Sequence, residues 1–316
     1  MTHAADFDLM NRWQRGLPLA TRPFKEIAFS QGTTEENVLA TFSRLMKQGL
    51  VDRIGPVFRP NTVGASTLAA MAVPAERLEQ VAAAVSAFPG VNHNYEREHR
   101  FNLWFVLTAS SPSKIEEIIQ EIESATGLPV MRLPLLEEFH IDLGFDLETG
   151  AAPRSGDARV AAPVLTERER KLACALGAGL PLVSRPYAEL GLPEAEVLDV
   201  LRRWLESGVV RRVGAVVRHR ELGYQANAMV VWDVSDDEVA ATGRRLAADD
   251  AVTLCYRRPR VPPDWRYNLF CMVHGRARSA VLVEIKRMTA LHGLGRYPRA
   301  ILFSRRCFGQ RAARYG

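Results

Sequence analysis

The sequence predicts an α+β protein made of a tandem repeat, in which each copy joins a winged helix-turn-helix to a ferredoxin-like βαββαβ domain. The segment GLPLATRPF at 16–24 recurs as GLPLVSRPY at 179–187, and NLWFV at 102–106 recurs as NLFCM at 268–272. Within each copy, an amphipathic helical pattern changes once into alternating strands and helices. Solenoid units run to only ~50 residues, so this much longer repeat indicates gene duplication.

The composition is that of a globular protein. The chain has 316 residues, of which 47% are hydrophobic and 24% charged. No apolar run approaches the ~18 residues of a membrane helix, and acidic residues stand where a secretion signal needs a basic stretch. We therefore expect a cytoplasmic protein without a membrane partner. The cysteines form no CxxC pair, so neither a zinc site nor a disulfide framework is expected.

The charge is unevenly distributed. Residues 1–163 hold 15 Lys and Arg against 20 Asp and Glu, whereas residues 164–316 hold 26 against 16. The second set comprises 24 Arg and only 2 Lys. Arginine codons are common in GC-rich genomes, which is one explanation. The other is a polyanionic ligand, either a nucleic acid or a polycarboxylate, because arginine grips such groups with two hydrogen bonds.

Each copy begins with a helical part. Apolar residues in 37–50 fall on one face of a helix, and the next segment, VDRIGPVFR, alternates apolar and polar residues as a short hairpin strand does. In the second copy, Thr166 and Glu169 have the spacing of a capping box. Three helices and a β-wing predict a winged helix-turn-helix over 1–60 and another over 164–219.

The second part of each copy alternates strand and helix. In the first copy, helices are expected over 75–88 and 113–127, with single strands before and after them and two strands between them. This βαββαβ order is that of the ferredoxin-like sandwich. We expect ferredoxin-like domains over 61–147 and 220–316. The linker between the copies is the Ala-, Pro- and Gly-rich segment 148–163.

The winged helices are poor candidates for DNA binding. A recognition helix meets phosphates and base edges near its N-terminus. Both candidate helices begin with acidic residues, which also stabilise a helix dipole: Glu35, Glu36, Glu194, Glu196 and Asp199. DNA is therefore not an expected partner, and these domains are interpreted as packing modules.

An unusual set of polar residues follows the second predicted strand of each ferredoxin-like domain. Four of them stand at alternate positions in the first copy and would share one face of a strand: His93, Tyr95, Arg97 and His99. In the second copy, Tyr256 and Arg258 repeat the second and third of these residues. Leu254 stands where the first copy has His93, and a VPPDW loop is inserted at 261–265. Folding alone does not require such a set, which favours a chemical role.

The paired units, the HNYERE…NLWFV segment and the CYRR…PPDWRYNLFCMVHG segment resemble the siroheme decarboxylases. This family includes the AhbA and AhbB pair and is structurally related to the Lrp/AsnC regulators. The chain most resembles the fused NirDL-type members of heme d1 biosynthesis, over nearly its whole length. The resemblance implies a carboxy-lyase that converts two acetate side chains of siroheme to methyl groups, giving didecarboxysiroheme.

The resemblance also implies that no cofactor is used beyond the iron that siroheme carries. The implied partner is a homologous pair of subunits of the NirG and NirH type, or a further copy in a homo-oligomer. The alternative function, from another class, is an Lrp/AsnC-type transcriptional regulator that senses heme or a small molecule.

Roles can be assigned on the decarboxylase interpretation. A histidine near neutral pH can supply the proton that replaces carbon dioxide. We assign this role to His93, with Tyr95 as its partner or as a donor to the carboxylate. His99 is either a second acid or an axial ligand of the substrate iron, and no metal site of the protein alone is expected. Carboxylates of the substrate would be held and oriented by the remaining residues: Arg97, Arg100, Tyr256, Arg257, Arg258 and Arg260.

Overall fold

The computed structural model divides into two units, each of which combines equivalent segments of both copies. It describes residues 4–141, 144, 146–149 and 163–315. The first unit holds the winged-helix segments, 4–64 and 163–222, and the second holds the ferredoxin-like segments, 65–149 and 223–314. Most of the expected linker, 148–163, lies outside the described residues, so the domain boundaries stay a prediction.

Helices and strands follow one another in the predicted order, except that the second copy lacks the middle helix of its helical part and the single last strand expected in the first copy is divided into two. In the first copy they are α1 (Ala4–Arg12), α2 (Pro23–Gln31), α3 (Glu35–Lys47), β1 (Val51–Phe58), β2 (Ala65–Met71), α4 (Leu78–Ala87), β3 (Val91–Arg97), β4 (Leu103–Ala109), α5 (Pro112–Thr126), β5 (Met131–Pro134) and β6 (Glu137–Ile141). In the second copy they are α6 (Glu167–Gly177), α7 (Glu194–Glu206), β7 (Val210–Val217), β8 (Ala226–Trp232), α8 (Val239–Ala247), β9 (Val252–Arg257), β10 (Leu269–Gly275), α9 (Arg278–Leu291) and β11 (Arg299–Gln310).

The helical segments differ between the copies in their middle helix. The capping box of Thr166 and Glu169 at the start of α6 is confirmed. The expected second helix of this copy is wrong, because a short 3-10 turn, Pro186–Glu189, replaces it. Gly191 adopts a left-handed conformation with φ 73°, and Pro193 follows as the N-cap of α7. The segment between Arg185 and α7 is therefore too short for a helix of the length of α2.

The two wing strands pair with each other, so the expectation of a hairpin strand within each copy is wrong. β1 and β7 form an antiparallel two-stranded ribbon in which Gly55 lies opposite Gly214. Each strand thereby satisfies backbone groups that a single strand would leave unpaired. A Cβ on Gly214 would lie 2.3 Å from the carbonyl oxygen of Gln14, so only glycine fits this close approach.

The second unit contains one nine-stranded sheet in the order β5-β2-β4-β3-β11-β8-β10-β9-β6. Each copy contributes the strand arrangement of a ferredoxin-like domain and packs its helices over its own apolar core. The last strand of each copy crosses to the other copy. β11 pairs with β8 over 299–303 and with β3 over 304–310. In the same way β5 pairs with β2, and β6 pairs with β9.

The two ends of this sheet are neighbours in the chain. The edge strands β5 and β6 are separated only by Leu135 and Leu136, so the sheet must curl round on itself. Its helix-free side, called the inner face here, carries a third apolar cluster with side chains of both copies. The largest of them are aromatic: Phe101, Trp104, Tyr256, Trp265 and Phe270. The inner face is therefore lined in part by buried side chains from both copies.

Candidate active site

The alternating pattern of β3 places three of the four predicted residues on the inner face. His93 and Tyr95 have nearly parallel rings, with centroids 6.3 Å apart and an interplanar angle of 12°. The Arg97 guanidinium lies 5.9 Å from the centre of the Tyr95 ring. The intervening Asn94 points the other way and donates to the carbonyl of Ala82 on α4 at 3.0 Å. The period-2 pattern of the strand therefore brings these three side chains together.

His99 reaches the same cluster by a different route. β3 ends at Arg97, so strand alternation does not orient His99. Its ring stacks on Phe101 and meets the edge of Trp265 at 5.4 Å between centroids. Burial, assisted by the charge of Arg100, lowers the pKa of His99. The side chain is therefore neutral at pH 7.

The hydrogen bond of His99 bears on its predicted roles. Its Nδ1 accepts the backbone N–H of Phe101 at 3.1 Å, so the proton of the neutral ring lies on Nε2. In this tautomer neither nitrogen has a free lone pair for iron. The role of axial ligand requires the bond to Phe101 to break, and the role of acid requires the ring to gain a second proton.

Arg97 and Arg258 occupy equivalent positions. Arg97 Nη1 donates to the carbonyl of Leu302 at 3.1 Å, and Arg258 Nη1 donates to the carbonyl of Leu133. Each acceptor lies on a strand of the opposite copy, Leu302 on β11 and Leu133 on β5. The two arginine residues are buried, with 8% and 9% of the residue exposed. The repeated Tyr-x-Arg pattern therefore places two buried arginines in equivalent positions on the inner face, and their role as clamps for carboxylates stays a prediction.

Arg258 is a buried cation without a counter-ion among the described residues. Its guanidinium lies 4.5 Å from the centre of the Tyr256 ring. Its Nε has no hydrogen-bond partner in the part of the chain that the structure describes, and burial lowers its pKa. Burying an uncompensated charge is costly. An arriving carboxylate would supply the missing charge and acceptor.

The other predicted arginines lie apart from the His93–Tyr95 pair. Arg100 is exposed and forms an ion pair with Asp264 in the inserted loop. Arg257 Nη2 donates to Asp236 at 2.8 Å, and Arg260 Nε donates to Asp233 at 2.9 Å. The structure therefore does not bring these three arginines together with Arg97 and Arg258.

Two residues of the site were missed by the sequence analysis. Gln310, at the end of β11, accepts a hydrogen bond from the Tyr95 hydroxyl at 3.2 Å. Trp265, the last residue of the inserted VPPDW loop, is 1% exposed and lies 5.2 Å from Trp104 between ring centroids. Of the two, only Trp265 has a sequence signal, because it ends the loop that is inserted in the second copy.

The acids of the two recognition helices have structural partners. Glu35 is buried and pairs with Arg22. The equivalent Glu194 is also largely buried and pairs with Arg185. Each of these acids therefore ties its helix to the chain that precedes it, and the interpretation of the winged helices as packing modules stays a prediction.

The described ranges, 4–141, 144, 146–149 and 163–315, contain neither a metal-binding cluster nor a membrane-spanning helix. No group of three or more His, Cys, Asp or Glu side chains there is arranged to hold a metal ion. None of the helices in these ranges is both long and apolar enough to span a membrane.

Two family models match the chain, each in both copies. The model described as AsnC-like ligand binding domain matches residues 63–140 and 221–309. The model described as siroheme decarboxylase NirDL-like HTH domain matches residues 6–51 and 169–211.

The chain is also similar to named proteins and to a solved structure. It is 46% identical over 312 residues to the siroheme decarboxylase NirDL subunit of Paracoccus denitrificans (strain Pd 1222), covering 98% of this chain and 96% of that relative. It is 52% identical over 139 residues to the siroheme decarboxylase NirD subunit of Stutzerimonas stutzeri, covering 44% of this chain and 91% of that subunit. The crystal structure of the siroheme decarboxylase NirDL in co-complex with an iron-uroporphyrin III analogue matches with a TM-score of 0.69 and 31% identity, over 98% of this chain and 94% of that one.

Proposed function

The chain belongs to the siroheme decarboxylase family, in its NirDL group, and from this premise we propose that it is a carboxy-lyase acting on siroheme. It removes carbon dioxide from two acetate side chains, which become methyl groups, and so yields didecarboxysiroheme for heme d1 biosynthesis. Each step breaks the bond between the methylene carbon and the carboxylate. One proton is then added to the methylene carbon, and one carbon dioxide leaves.

The buried arginines of the inner face are the observation that carries this proposal. Siroheme is a flat, largely apolar macrocycle fringed with carboxylates. The inner face offers an aromatic cluster together with Arg97 and Arg258, which are buried in equivalent places. A carboxylate bound at Arg258 would offset the cost of its buried charge and accept from its unpaired Nε. Apolar walls with a few convergent charged groups are what such a ligand needs.

The reacting acetate needs surroundings different from those of the carboxylates that the arginines bind. An arginine on the reacting carboxylate would stabilise its charge and so oppose the loss of carbon dioxide. An apolar surrounding raises the energy of the ionised acetate relative to the neutral product. Arg97 and Arg258 therefore hold neighbouring carboxylates, and the reacting acetate lies next to His93 and Tyr95.

The proton is supplied in the first copy. His93, next to Tyr95 on the inner face, donates to the methylene carbon, and Tyr95 orients His93 or the departing carboxylate. Leu254 has no proton to give, so the second copy binds and orients the substrate through Tyr256 and Arg258. Arg100, Arg257 and Arg260 contribute through the ion pairs that fix the loops around the site. His99 packs against Trp265 at the border of the same cluster and serves as second acid or iron ligand if its bond to Phe101 opens.

Siroheme brings its own iron, and no separate cofactor is needed for this chemistry. A homologous pair of subunits of the NirG and NirH type is the proposed protein partner, with a homo-oligomer as the other possibility. The proposed compartment is the cytoplasm.

The test is anaerobic incubation of the purified chain with siroheme, with and without the homologous subunits. Mass spectrometry of the tetrapyrrole should show the loss of one and then two carbon dioxides, and the released gas should match this loss. The double variant Arg97→Met with Arg258→Met should bind siroheme weakly, as judged from the Soret band. The matched control is Arg244→Met, which changes an arginine on the helix-covered side of the sheet. Siroheme recovered intact in both arms would overturn the proposal.

A further inference from the structure

The last strand of the second copy forms one wall of the His93–Tyr95 pair. Residues 304–310 of β11 run antiparallel to β3, and Gln310 is the direct ladder partner of His93. The side chain of Gln310 turns to the same face and accepts from the Tyr95 hydroxyl at 3.2 Å. Since Tyr95 stacks on His93, one glutamine carbonyl is linked to both predicted catalytic side chains.

We propose that Gln310 is a positioning residue for Tyr95 and His93, and that the site of the first copy is therefore completed by the second copy. This inference rests on the proposed function, since it assigns a role within the same site. Gln310 acts through Tyr95 and is not required to touch the substrate.

The hydrogen bond fixes the direction of the Tyr95 proton. Because the hydroxyl donates to Gln310, its proton points toward the side-chain carbonyl of this β11 residue. The amide is neutral, so it orients the phenol without adding charge next to His93. A ring held at both its hydroxyl and its stacked face has few alternative rotamers, which is the requirement for a preorganised catalytic group.

The second copy provides a natural comparison at the same register. There β6 pairs with β9, and Ile141 is the ladder partner of Leu254. Over the pairs compared, both pairings shift register at the same place, between Cys307 and Gly309 in one and between Glu138 and His140 in the other; the β11–β3 pairing has a second shift farther along, between Ser304 and Arg306. The backbone is thus equivalent, whereas the polar pair of the first copy is replaced by two apolar residues.

The joint replacement of both residues in the second copy indicates that Gln310 has a chemical role and is not needed for strand pairing. Strand pairing alone is satisfied by either kind of residue, because the ladder uses backbone groups. The glutamine occurs opposite the histidine, and the isoleucine occurs opposite the leucine. Gln310 therefore accompanies the residue that we assign as proton donor.

The test compares Gln310→Leu with the control Gln120→Leu, which changes an exposed glutamine on α5 away from the inner face. In the siroheme assay, Gln310→Leu should lower kcat about 10- to 100-fold through misplacement of the reacting groups and leave KM nearly unchanged. Gln310→Glu keeps an acceptor and should recover most of kcat.

A double-mutant cycle decides whether Gln310 acts through Tyr95. In the Tyr95→Phe background, Gln310→Leu should have almost no further effect on kcat. In substrate-free protein, the Cζ resonance of ¹³C-labelled Tyr95 should move in Gln310→Leu and stay in place in Gln120→Leu. Wild-type turnover in the same assay tests the proposed function separately. An active wild type with unchanged kcat in Gln310→Leu, or with fully additive effects in the cycle, would overturn the inference.

Discussion

Phe139 and Gly243 are in contact across the two copies: the ring of Phe139 on β6 fills the space that a Cβ on Gly243 would occupy. Such a Cβ would lie 2.2 Å from the nearest ring atom. Gly243 belongs to α8 of the second copy, so this contact holds a strand of the first copy against a helix of the second. The packing of β6 on α8 therefore leaves no room for a side chain at position 243.

Gly243→Ala should destabilise the protein, because its methyl group overlaps the Phe139 ring. Overpacking of this kind costs ~1–3 kcal/mol, which denaturant unfolding of both variants would measure. Adding Phe139→Leu makes room for the methyl group and should restore part of the loss. If Gly243→Ala has wild-type stability, β6 does not pack on α8 as described.

His93→Ala should abolish most turnover while siroheme still binds. General acid catalysis contributes ~10²–10⁴-fold in rate, and the loss should fall in this range in kcat. Leu254→Ala changes the equivalent position of the second copy and should have a much smaller effect on the rate. Equal losses in the two variants would show that the copies share the chemistry.

Arg258→Met should weaken siroheme binding without destabilising the protein. Without substrate, methionine removes a buried charge that has no ion-pair partner among the described residues, so the free energy of unfolding should stay the same or rise. Affinity for siroheme should weaken by ~1–3 kcal/mol, the range for a hydrogen bond to a charged group. A destabilised variant that binds siroheme normally would make Arg258 a structural residue. Thermal unfolding and Soret titration provide the two measurements.

His99 should make the free energy of unfolding decrease as the pH falls below the ordinary pKa of histidine. Its pKa is lowered in the folded protein by burial and by Arg100. Between this lowered pKa and the unfolded value of ~6.5, the unfolded chain binds more protons. The free energy of unfolding therefore falls as the pH falls through this window and levels off below the folded pKa. His99→Gln retains a side-chain acceptor for the Phe101 amide without titrating, so it should remove this part of the slope. The free energy of unfolding of the wild type and of His99→Gln can be measured with urea at pH 7 and at several lower pH values. If it changes with pH by the same amount in both proteins, the prediction is contradicted.

Much of the fold could be predicted from the sequence because it depends on local patterns. The repeat, the βαββαβ order and the capping box of Thr166 follow from spacing, and alternation placed His93, Tyr95 and Arg97 on one face. Strand partners were not predictable in this way. An apolar–polar pattern shows that β1 is a strand, but not that it pairs with β7.

The parts of the site that were missed depend on contacts between distant segments. Gln310 and Tyr95 are 215 positions apart in the chain, and nothing local to Gln310 indicates its partner. His99 lies just after the end of β3, where alternation no longer applies. Arg257 and Arg260 look like ligand-binding groups in the sequence, but their partners Asp233 and Asp236 become visible only after β9 and the segment after β8 are brought together.

The crossing of β11 sets the time at which the site is formed during synthesis. β3 is made early, yet its neighbour in the sheet is segment 304–310. Until the ribosome has delivered that segment, His93 and Tyr95 stand on an open strand edge, which is prone to pair with other chains. Contacts of such high sequence separation also form slowly. A nascent chain therefore acquires its complete site only after the second copy has emerged, so premature termination before residue 304 would leave a protein without the wall that Gln310 supplies.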